Sequence, residues 1–221
     1  MSWDAVWEKI FSSRSWGKYP GEDLIRFVAK HFYKAADRSQ IKILEIGSGP
    51  GANLWFMARE GFTVYGVEGS STAVQQSLAY LDSNVPNWQG EVVQGDIVKL
   101  DYDDCLFDAV IDIEAVYCNS FDASKIIYQE ALRVLKPGGY FYSRTFAKGT
   151  SGDETGETVS YNAYRPSEGT LVDVGLVRFT SREDIEPLFA GFEIVEVDQM
   201  VRTSNPGKLV KEWMITAKKP E

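Results

Sequence analysis

The stretch from Ile41 to Gly51, IKILEIGSGPG, decides the fold expected for this chain of 221 residues. Its first half is rich in β-branched and apolar residues, which is typical of a strand buried on both faces. Its last five positions include three glycines, and the following segment, Ala52 to Glu60 (ANLWFMARE), has the composition of a helix. Strand, glycine turn and helix in this order bring backbone amides and a helix N-terminus against a ligand. The sequence therefore predicts a nucleotide-type cofactor site at this turn.

The spacing of the glycines leaves two kinds of cofactor open. Gly47, Gly49 and Ala52 match the G-x-G-x-x-G/A fingerprint of dinucleotide sites, and an acid, Glu68, follows downstream. Glu45, however, precedes the first glycine by two residues and would point into the site from the end of the strand. A carboxylate there repels the pyrophosphate of a dinucleotide and attracts a cationic group. The residues alone leave NAD(P) possible and favour a positively charged cofactor.

Composition and charge indicate a single domain, residues 1–221, with a small-molecule substrate. The formal net charge of −9 disfavours nucleic acid or an anionic membrane as a partner. No apolar run approaches the ~20 residues of a membrane span, and no cluster of ligand residues has the spacing of a metal site. Cys105 and Cys118 are too few for a disulfide framework, so the expected compartment is the cytoplasm. For the quaternary structure we expect a monomer or a homodimer.

Acidic residues recur at the ends of the next predicted strands. The second strand, FTVYGVE, ends at Glu68, whose two carboxylate oxygens suit the two hydroxyls of a ribose. The third, Glu91 to Gly95, is followed by Asp96, and the fourth, LFDAVIDI, ends at Ile113 and is followed by Glu114. The acid at Glu68 suits either kind of cofactor, because both carry a ribose.

Two segments stand outside the alternation of strands and helices. Residues 1–40 contain two predicted helices and are expected to form a helical cap or lid. Residues 147–178 are rich in Gly, Ser, Thr and Glu, with Tyr161, Tyr164 and Arg165 clustered inside. A long excursion from the carboxyl edge of a parallel sheet usually carries substrate specificity. We therefore predict a substrate-side insertion, with a dimer contact or a mobile loop as alternatives.

The order of these motifs resembles that of the class I S-adenosylmethionine-dependent methyltransferases, of the small-molecule type. The run E-x-G-x-G-x-G from Glu45 resembles their motif I, VVQGDIVKL their adenine-binding segment, LFDAVIDI their fourth strand and EALRVLKPGG their link into the fifth. The resemblance covers nearly the whole chain from about Ile41 to Lys219, excluding the insertion. It implies an α/β fold, a three-layer αβα Rossmann-like arrangement whose seven-stranded sheet is mostly parallel with an antiparallel C-terminal strand pair.

The resemblance further implies methyl transfer from S-adenosylmethionine to a small molecule, with release of S-adenosylhomocysteine. Asp96 is expected to accept from the adenine amine, Ile97 to cover the ring, and Tyr19 to contact the cofactor from the lid. The cofactor-binding residues expected on this basis are Tyr19, Glu45, Gly47, Ser48, Gly49, Gly51, Glu68, Gly69, Asp96, Ile97 and Ile113. The catalytic candidates, on the acceptor side, are Tyr19, Glu114, Tyr117 and Arg144. The family often carries a polar residue or His near Tyr117, whereas this chain has Cys118 and Asn119, so the proton acceptor stays unassigned.

Two other classes of function stay open at this point. One is an NAD(P)-dependent oxidoreductase, which Glu45, Asp96 and the strand-rich C-terminus disfavour. The other is a non-catalytic S-adenosylmethionine-binding subunit that serves a partner, because a fold does not guarantee activity.

Overall fold

The computed structural model describes residues 3–205 and 207–221, and a large sheet forms its centre. The strands are β1 (Lys42–Ile46), β2 (Thr63–Glu68), β3 (Gly90–Gln94), β4 (Phe107–Ile113), β5 (Leu135–Phe146), β6 (Glu157–Ser160), β7 (Ala163–Arg165), β8 (Val177–Arg178), β9 (Glu193–Asn205) and β10 (Lys208–Lys218). Seven of them form the central sheet in the order β3-β2-β1-β4-β5-β10-β9. This confirms the predicted Rossmann-like arrangement.

The strand directions follow the predicted pattern. Strand β1 lies between β2 and β4 and is parallel to both, with Leu44 in register with Tyr65 and Val110. Strand β10 runs antiparallel to both of its neighbours, β5 and β9. After β1 the chain adds β2 and then β3 on one side of β1, and it then crosses to the other side, where it forms β4. This reversal places a ligand crevice at the carboxyl end of β1.

Helices cover both faces of the sheet. They are α1 (Val6–Ser13), α2 (Glu22–Phe32), α3 (Ala52–Arg59), α4 (Ser71–Asn84), α5 (Phe121–Val134) and α6 (Ile185–Leu188). Ile43 and Leu44 are both fully buried in β1 but point to opposite sides. Ile43 packs in the core that contains Leu54 of α3, and Leu44 in the core that contains Ile127 of α5. This two-sided burial explains the almost continuous apolar run of the strand. Within the two described ranges, no helix is long and apolar enough to cross a membrane.

The insertion at residues 147–178 contains structure that the sequence did not predict. Strands β6, β7 and β8 pair antiparallel into a small sheet of their own. They are four, three and two residues long, too short for a recognisable hydrophobic period. Leu171 and Val177 of this segment join Tyr117 and Phe146 in a third apolar cluster. The insertion therefore packs on the carboxyl edge of the central sheet.

Candidate active site

A cavity of about 450 Å³ opens at the carboxyl ends of β1, β2 and β4. Glu45 and the glycine turn border it from β1, Glu68 from β2, and Ile113 and Glu114 from β4. Its volume lies in the range of roughly 300–1,000 Å³ that small-molecule sites occupy. The cavity thus lies at the crevice that the strand order defines.

The glycine turn forms one wall of the cavity, and each of its glycines has a left-handed backbone. The φ angles are +68° at Gly47, +51° at Gly49 and +85° at Gly51. A Cβ atom at Gly47 would lie 2.4 Å from the Cβ atom of Ala115, and one at Gly51 would lie 2.2 Å from Oγ of Ser77. Both the dihedral angles and the close packing therefore require glycine.

Glu45 places a buried carboxyl group beside this turn. The residue is 2% exposed, and its Oε1 accepts a hydrogen bond of 2.6 Å from Nδ2 of Asn53. Its Oε2 is also buried and has no hydrogen-bond partner among the described residues. Burial raises the pKa of Glu45 from 4.5 to about 8, although the bond from Asn53 opposes the shift. A buried carboxyl with one unpartnered oxygen suits a cationic ligand.

Glu68 ties the glycine turn to the end of β2. Its Oε2 accepts from the backbone amide of Gly49 at 2.8 Å, and its Oε1 accepts from that of Ser70 at 2.9 Å. Burial raises the pKa of Glu68, and these backbone hydrogen bonds oppose the shift. Each carboxylate oxygen can accept a second hydrogen bond. Glu68 therefore supports the turn and retains acceptor capacity at the cavity.

Glu114 borders the cavity directly after β4 in a left-handed conformation, with φ at +53°. Its amide donates to the carbonyl oxygen of Arg144 at 2.9 Å, and its Oε1 lies 3.0 Å from Nη2 of Arg144. Arg144, expected on the acceptor side, does not line the cavity. It is 8% exposed and also pairs with Glu212 and Asp23. The structure thus places Arg144 behind Glu114, where the guanidinium reaches carboxylates and not the cavity.

The N-terminal segment covers the cavity with aromatic side chains. The rings of Trp7 and Phe11 lie 5.6 Å apart, and those of Phe11 and Trp16 lie 5.1 Å apart. Tyr19 lines the mouth, is 77% exposed and packs edge-on against Trp55. Residues of the N-terminal segment, which is expected to form a lid, therefore lie over the glycine turn.

Most of the predicted site residues meet in this cavity. Those that line it are Tyr19, Glu45, Gly47, Ser48, Gly49, Gly51, Glu68, Gly69, Ile97, Ile113, Glu114 and Tyr117. Asp96 does not line it, although its neighbours Gly95 and Ile97 do. The side chain of Asp96 accepts from the amide of Val98 at 3.1 Å.

Other lining residues were not predicted from the sequence. They are chiefly Trp3, Trp7, Asn53, Asn119, Phe146, Leu171 and Val174. Asn53 could have been found, because it follows the glycine turn by two residues and lies in the first turn of α3. From the insertion, Leu171 and Val174 reach the cavity, whereas Tyr161, Tyr164 and Arg165 do not line it. Within the described ranges, no three His, Cys, Asp or Glu side chains are grouped so that they could hold a metal ion.

The strand order, the glycine turn and the acids at the ends of β1 and β2 are those of a class I methyltransferase-type α/β fold. A family model described as a methyltransferase domain matches residues 43–139. The sterol 24-C-methyltransferase of Kluyveromyces lactis is 27% identical over 205 residues, which make up 88% of this chain and 54% of that protein. The corresponding enzyme of Yarrowia lipolytica is 33% identical over 129 residues, 56% of this chain and 33% of that protein. The chain thus spans about half, or less, of the length of these relatives.

Solved structures share the fold at low sequence identity. A methyltransferase from Methanosarcina mazei superimposes with a TM-score of 0.70 at 19% identity, covering 86% of this chain and 96% of that one. The 1,6-didemethyltoxoflavin-N1-methyltransferase of Burkholderia thailandensis, solved with S-adenosylhomocysteine, gives 0.68 at 16% identity over 90% of this chain and 78% of that one. Together with the family model and the relatives, this likeness supports a class I S-adenosylmethionine-dependent methyltransferase.

Proposed function

We propose that this protein transfers the methyl group of S-adenosylmethionine to a small, largely apolar acceptor and releases S-adenosylhomocysteine. The observation that carries the proposal is the buried carboxyl of Glu45, with one unpartnered oxygen beside the glycine turn. S-adenosylmethionine carries an ammonium and a sulfonium group and no phosphate. Because a carboxyl at this position attracts a cation and repels a pyrophosphate, the residues present fit this cofactor better than a dinucleotide.

Each part of the cofactor has a proposed contact in the cavity. Glu45 binds the ammonium group, and the remaining acceptor sites of Glu68 bind the ribose hydroxyls. Gly69 and Ile97 flank the adenine, and Ile113 lies against the methionine half. The backbone of the glycine turn approaches the cofactor closely at Gly47, Ser48, Gly49 and Gly51. Asp96, which follows β3, is the proposed contact of the adenine. Tyr19 closes the mouth.

When bound, the cofactor supplies a methyl group on a sulfonium that is already primed to leave. The protein's share of catalysis is alignment and exclusion of water. Alignment of this kind contributes on the order of 7–11 kcal/mol at best. Trp7, Phe11 and Trp16 line the cavity, and their proposed role is to limit the access of water to the bound cofactor. Glu114 and Tyr117 lie on the acceptor side, where the Glu114 carboxylate can take up a proton at Oε.

The acceptor end of the cavity has apolar walls. Trp7, Tyr117, Phe146, Leu171 and Val174 line it, and the rings of Tyr117 and Phe146 meet edge-to-face at 4.8 Å. The charged residues among the described cavity lining are Asp4, Arg14, Glu45, Glu68 and Glu114. A wall of this composition favours an apolar, uncharged or cationic acceptor. The relatives named above act on sterols by name, so sterols are the first acceptors to screen.

The wider biological setting belongs to the same proposal. Residues 1–221 act as a single methyltransferase domain, with residues 1–40 as the lid and residues 147–178 as the substrate-side insertion. The net charge of −9 supports an activity without nucleic acid or a membrane as partner. The free thiols of Cys105 and Cys118 support the cytoplasm as the compartment. The quaternary structure is a monomer or a homodimer.

Calorimetric titration with S-adenosylhomocysteine, NAD and NADP tests the proposal. We expect binding of S-adenosylhomocysteine and no heat from either nicotinamide dinucleotide. Binding of a dinucleotide without a response to S-adenosylhomocysteine would support the oxidoreductase instead. Binding of S-adenosylhomocysteine with no methylated product from a broad acceptor screen would favour a non-catalytic subunit.

A further inference from the structure

Three carboxyl groups and two guanidinium groups gather behind the acceptor end of the cavity. Arg144 on β5 lies 3.0 Å from Glu114, 2.8 Å from Glu212 on β10 and 3.3 Å from Asp23 on α2. Arg202 on β9 lies 3.0 Å from the second oxygen of Glu212. Glu212 is fully buried. Among the described residues, two positive charges therefore face three carboxyl groups, so one carboxyl has no counter-charge there.

Glu114 is the most exposed of the three carboxyl groups and lines the cavity. Its side chain keeps 34% of its surface, that of Asp23 15% and that of Glu212 none. Glu114 and Glu212 meet at one nitrogen, because Nη2 of Arg144 lies 3.0 Å from an oxygen of each. Burial raises the pKa of Glu114 to about 7; Arg144 opposes this shift, and a hydrogen bond with Glu212 adds to it. Tyr117 is the further titratable group beside Glu114.

The backbone of Glu114 indicates that this placement is imposed by the surroundings. A left-handed backbone is uncommon and strained for a glutamate. Here it is held by the hydrogen bond from its amide to Arg144. Asp112, fully buried at the end of β4, also accepts from the amides of Ala115 and Val116 and so fixes the turn that follows. The fold thus presents the carboxyl of Glu114 to the cavity at a fixed position.

We propose that Glu114 and Glu212 form a carboxyl pair that shares one proton against Arg144, and that its charge makes the cavity prefer the cationic cofactor over its neutral product. The inference rests on the proposed function, in which this end of the cavity receives the sulfonium. With the shared proton present, the cluster of three carboxyl groups and two guanidinium groups has no net charge. Once the proton leaves, the cluster carries one negative charge, which attracts S-adenosylmethionine and leaves the thioether of S-adenosylhomocysteine unaffected. Glu114 contacts the ligand, and Glu212 and Arg144 are positioning residues.

The measurement is the ratio of the Kd for S-adenosylhomocysteine to the Kd for S-adenosylmethionine, determined by calorimetry from pH 6 to pH 8. Between pH 6 and pH 8 this ratio should rise roughly threefold to tenfold more in the native protein than in Glu114→Gln. A rise of this size is expected for one partly screened charge. Glu45 faces the ammonium group that both ligands share, so its titration largely cancels in the ratio. Titration of the ligands themselves occurs in both proteins, and the variant therefore serves as the reference.

Two variants distinguish the pair from a single acid. Glu114→Gln cannot ionise, so its ratio should be low and should lack the rise. Glu212→Gln removes the carboxyl that competes for Arg144, so Glu114 should be ionised throughout and the ratio should not change between pH 6 and pH 8. Thermal melts of the ligand-free proteins verify that each variant is folded. If a variant does not fold, Arg202→Gln takes its place. This variant removes a positive charge beside Glu212, so the pair should lose its proton, and the ratio should rise, at higher pH.

The result that overturns the inference is an identical pH dependence in the native protein and in Glu114→Gln. A ratio that still rises between pH 6 and pH 8 in Glu212→Gln, as in the native protein, would exclude the shared proton. Failure of the native protein to bind either ligand would instead overturn the proposed function.

Discussion

The carboxylate of Glu68 accepts a hydrogen bond of 2.8 Å from the backbone amide of Gly49. The two residues belong to different strand–turn units, and the bond closes the cavity wall between β1 and β2. Glu68 is 7% exposed and also lines the cavity. Its carboxylate is therefore both a structural acceptor and a candidate ligand of the ribose. Loss of the side chain should therefore affect both stability and binding.

Replacing Glu68 by Ala should lower the affinity for S-adenosylhomocysteine at least about tenfold, which corresponds to ~1.4 kcal/mol. It also leaves the buried amides of Gly49 and Ser70 without this acceptor, at a cost of roughly 1–3 kcal/mol in unfolding free energy. Calorimetry and thermal melts measure the two effects, and Glu193→Ala, an exposed strand glutamate, is the matched control. An unchanged Kd would show that Glu68 does not bind the cofactor.

Binding of S-adenosylhomocysteine near pH 7 should release close to one proton, because Glu45 has a pKa of about 8 in the free protein and must ionise to pair with an ammonium group. Calorimetry in buffers of different ionisation enthalpy measures this release. Glu45→Gln should abolish it and weaken binding. The same proton release from the variant would assign it to another group.

The same carboxyl should make the free protein less stable as the pH rises. The folded-state pKa of Glu45 is about 8 and the reference value is 4.5, so the unfolded chain loses its proton first. Glu45 therefore lowers the unfolding free energy between about pH 4.5 and pH 8. Thermal melts of Glu45→Gln across this range should show a smaller decline than those of the native protein. A parallel decline would mean that Glu45 does not titrate in this range.

Leu171→Ala should reduce turnover of the acceptor found by screening while leaving the Kd for S-adenosylhomocysteine within about threefold, below ~1 kcal/mol. Leu171 lines the cavity and packs with Tyr117 and Phe146. Tyr161→Ala is the control from the same insertion, because Tyr161 is 59% exposed and its hydroxyl bonds to Asp184 outside the cavity. Equal losses in both variants would mean that the insertion acts through its overall fold.

Glu8→Ala should release the N-terminal cover. The carboxylate of Glu8 accepts from the hydroxyl of Ser70 at 2.6 Å and from the hydroxyl of Thr72, which docks α1 on the start of α4. These bonds lower the pKa of Glu8, so the contact is present at neutral pH and is lost as the pH falls through that lowered value. Limited trypsin digestion at Arg14 and Lys18 should accelerate, and S-adenosylhomocysteine should dissociate faster.

Glu22→Ala in α2 is the control for the cover, because Glu22 is an exposed acid that pairs with Arg26. It should digest at the native rate. If Glu8→Ala also does so, then Glu8 does not secure the cover.

The central sheet and the cofactor wall were predictable from the sequence because their signals are local. A buried strand, three glycines at left-handed positions and a carboxylate at a strand end are set by dihedral angles, by period and by the parallel order of the strands. Glu45, Gly47 and Glu68 therefore line the cavity where the motif indicated. The resemblance to a known family supplied the kind of cofactor.

Tertiary structure decided what depends on residues far apart in the chain. Asp23, Glu114, Arg144 and Glu212 come from four elements, and no local pattern indicates that they share one buried cluster. The same holds for the insertion, where Leu171 lines the cavity and Tyr161 does not, because both lie between short strands and belong to no periodic pattern. The sequence motif also does not show that Gly95 and Ile97 line the cavity whereas Asp96 between them does not. Sequence determines which residues end the strands, whereas packing between distant segments decides which of their side chains face the ligand.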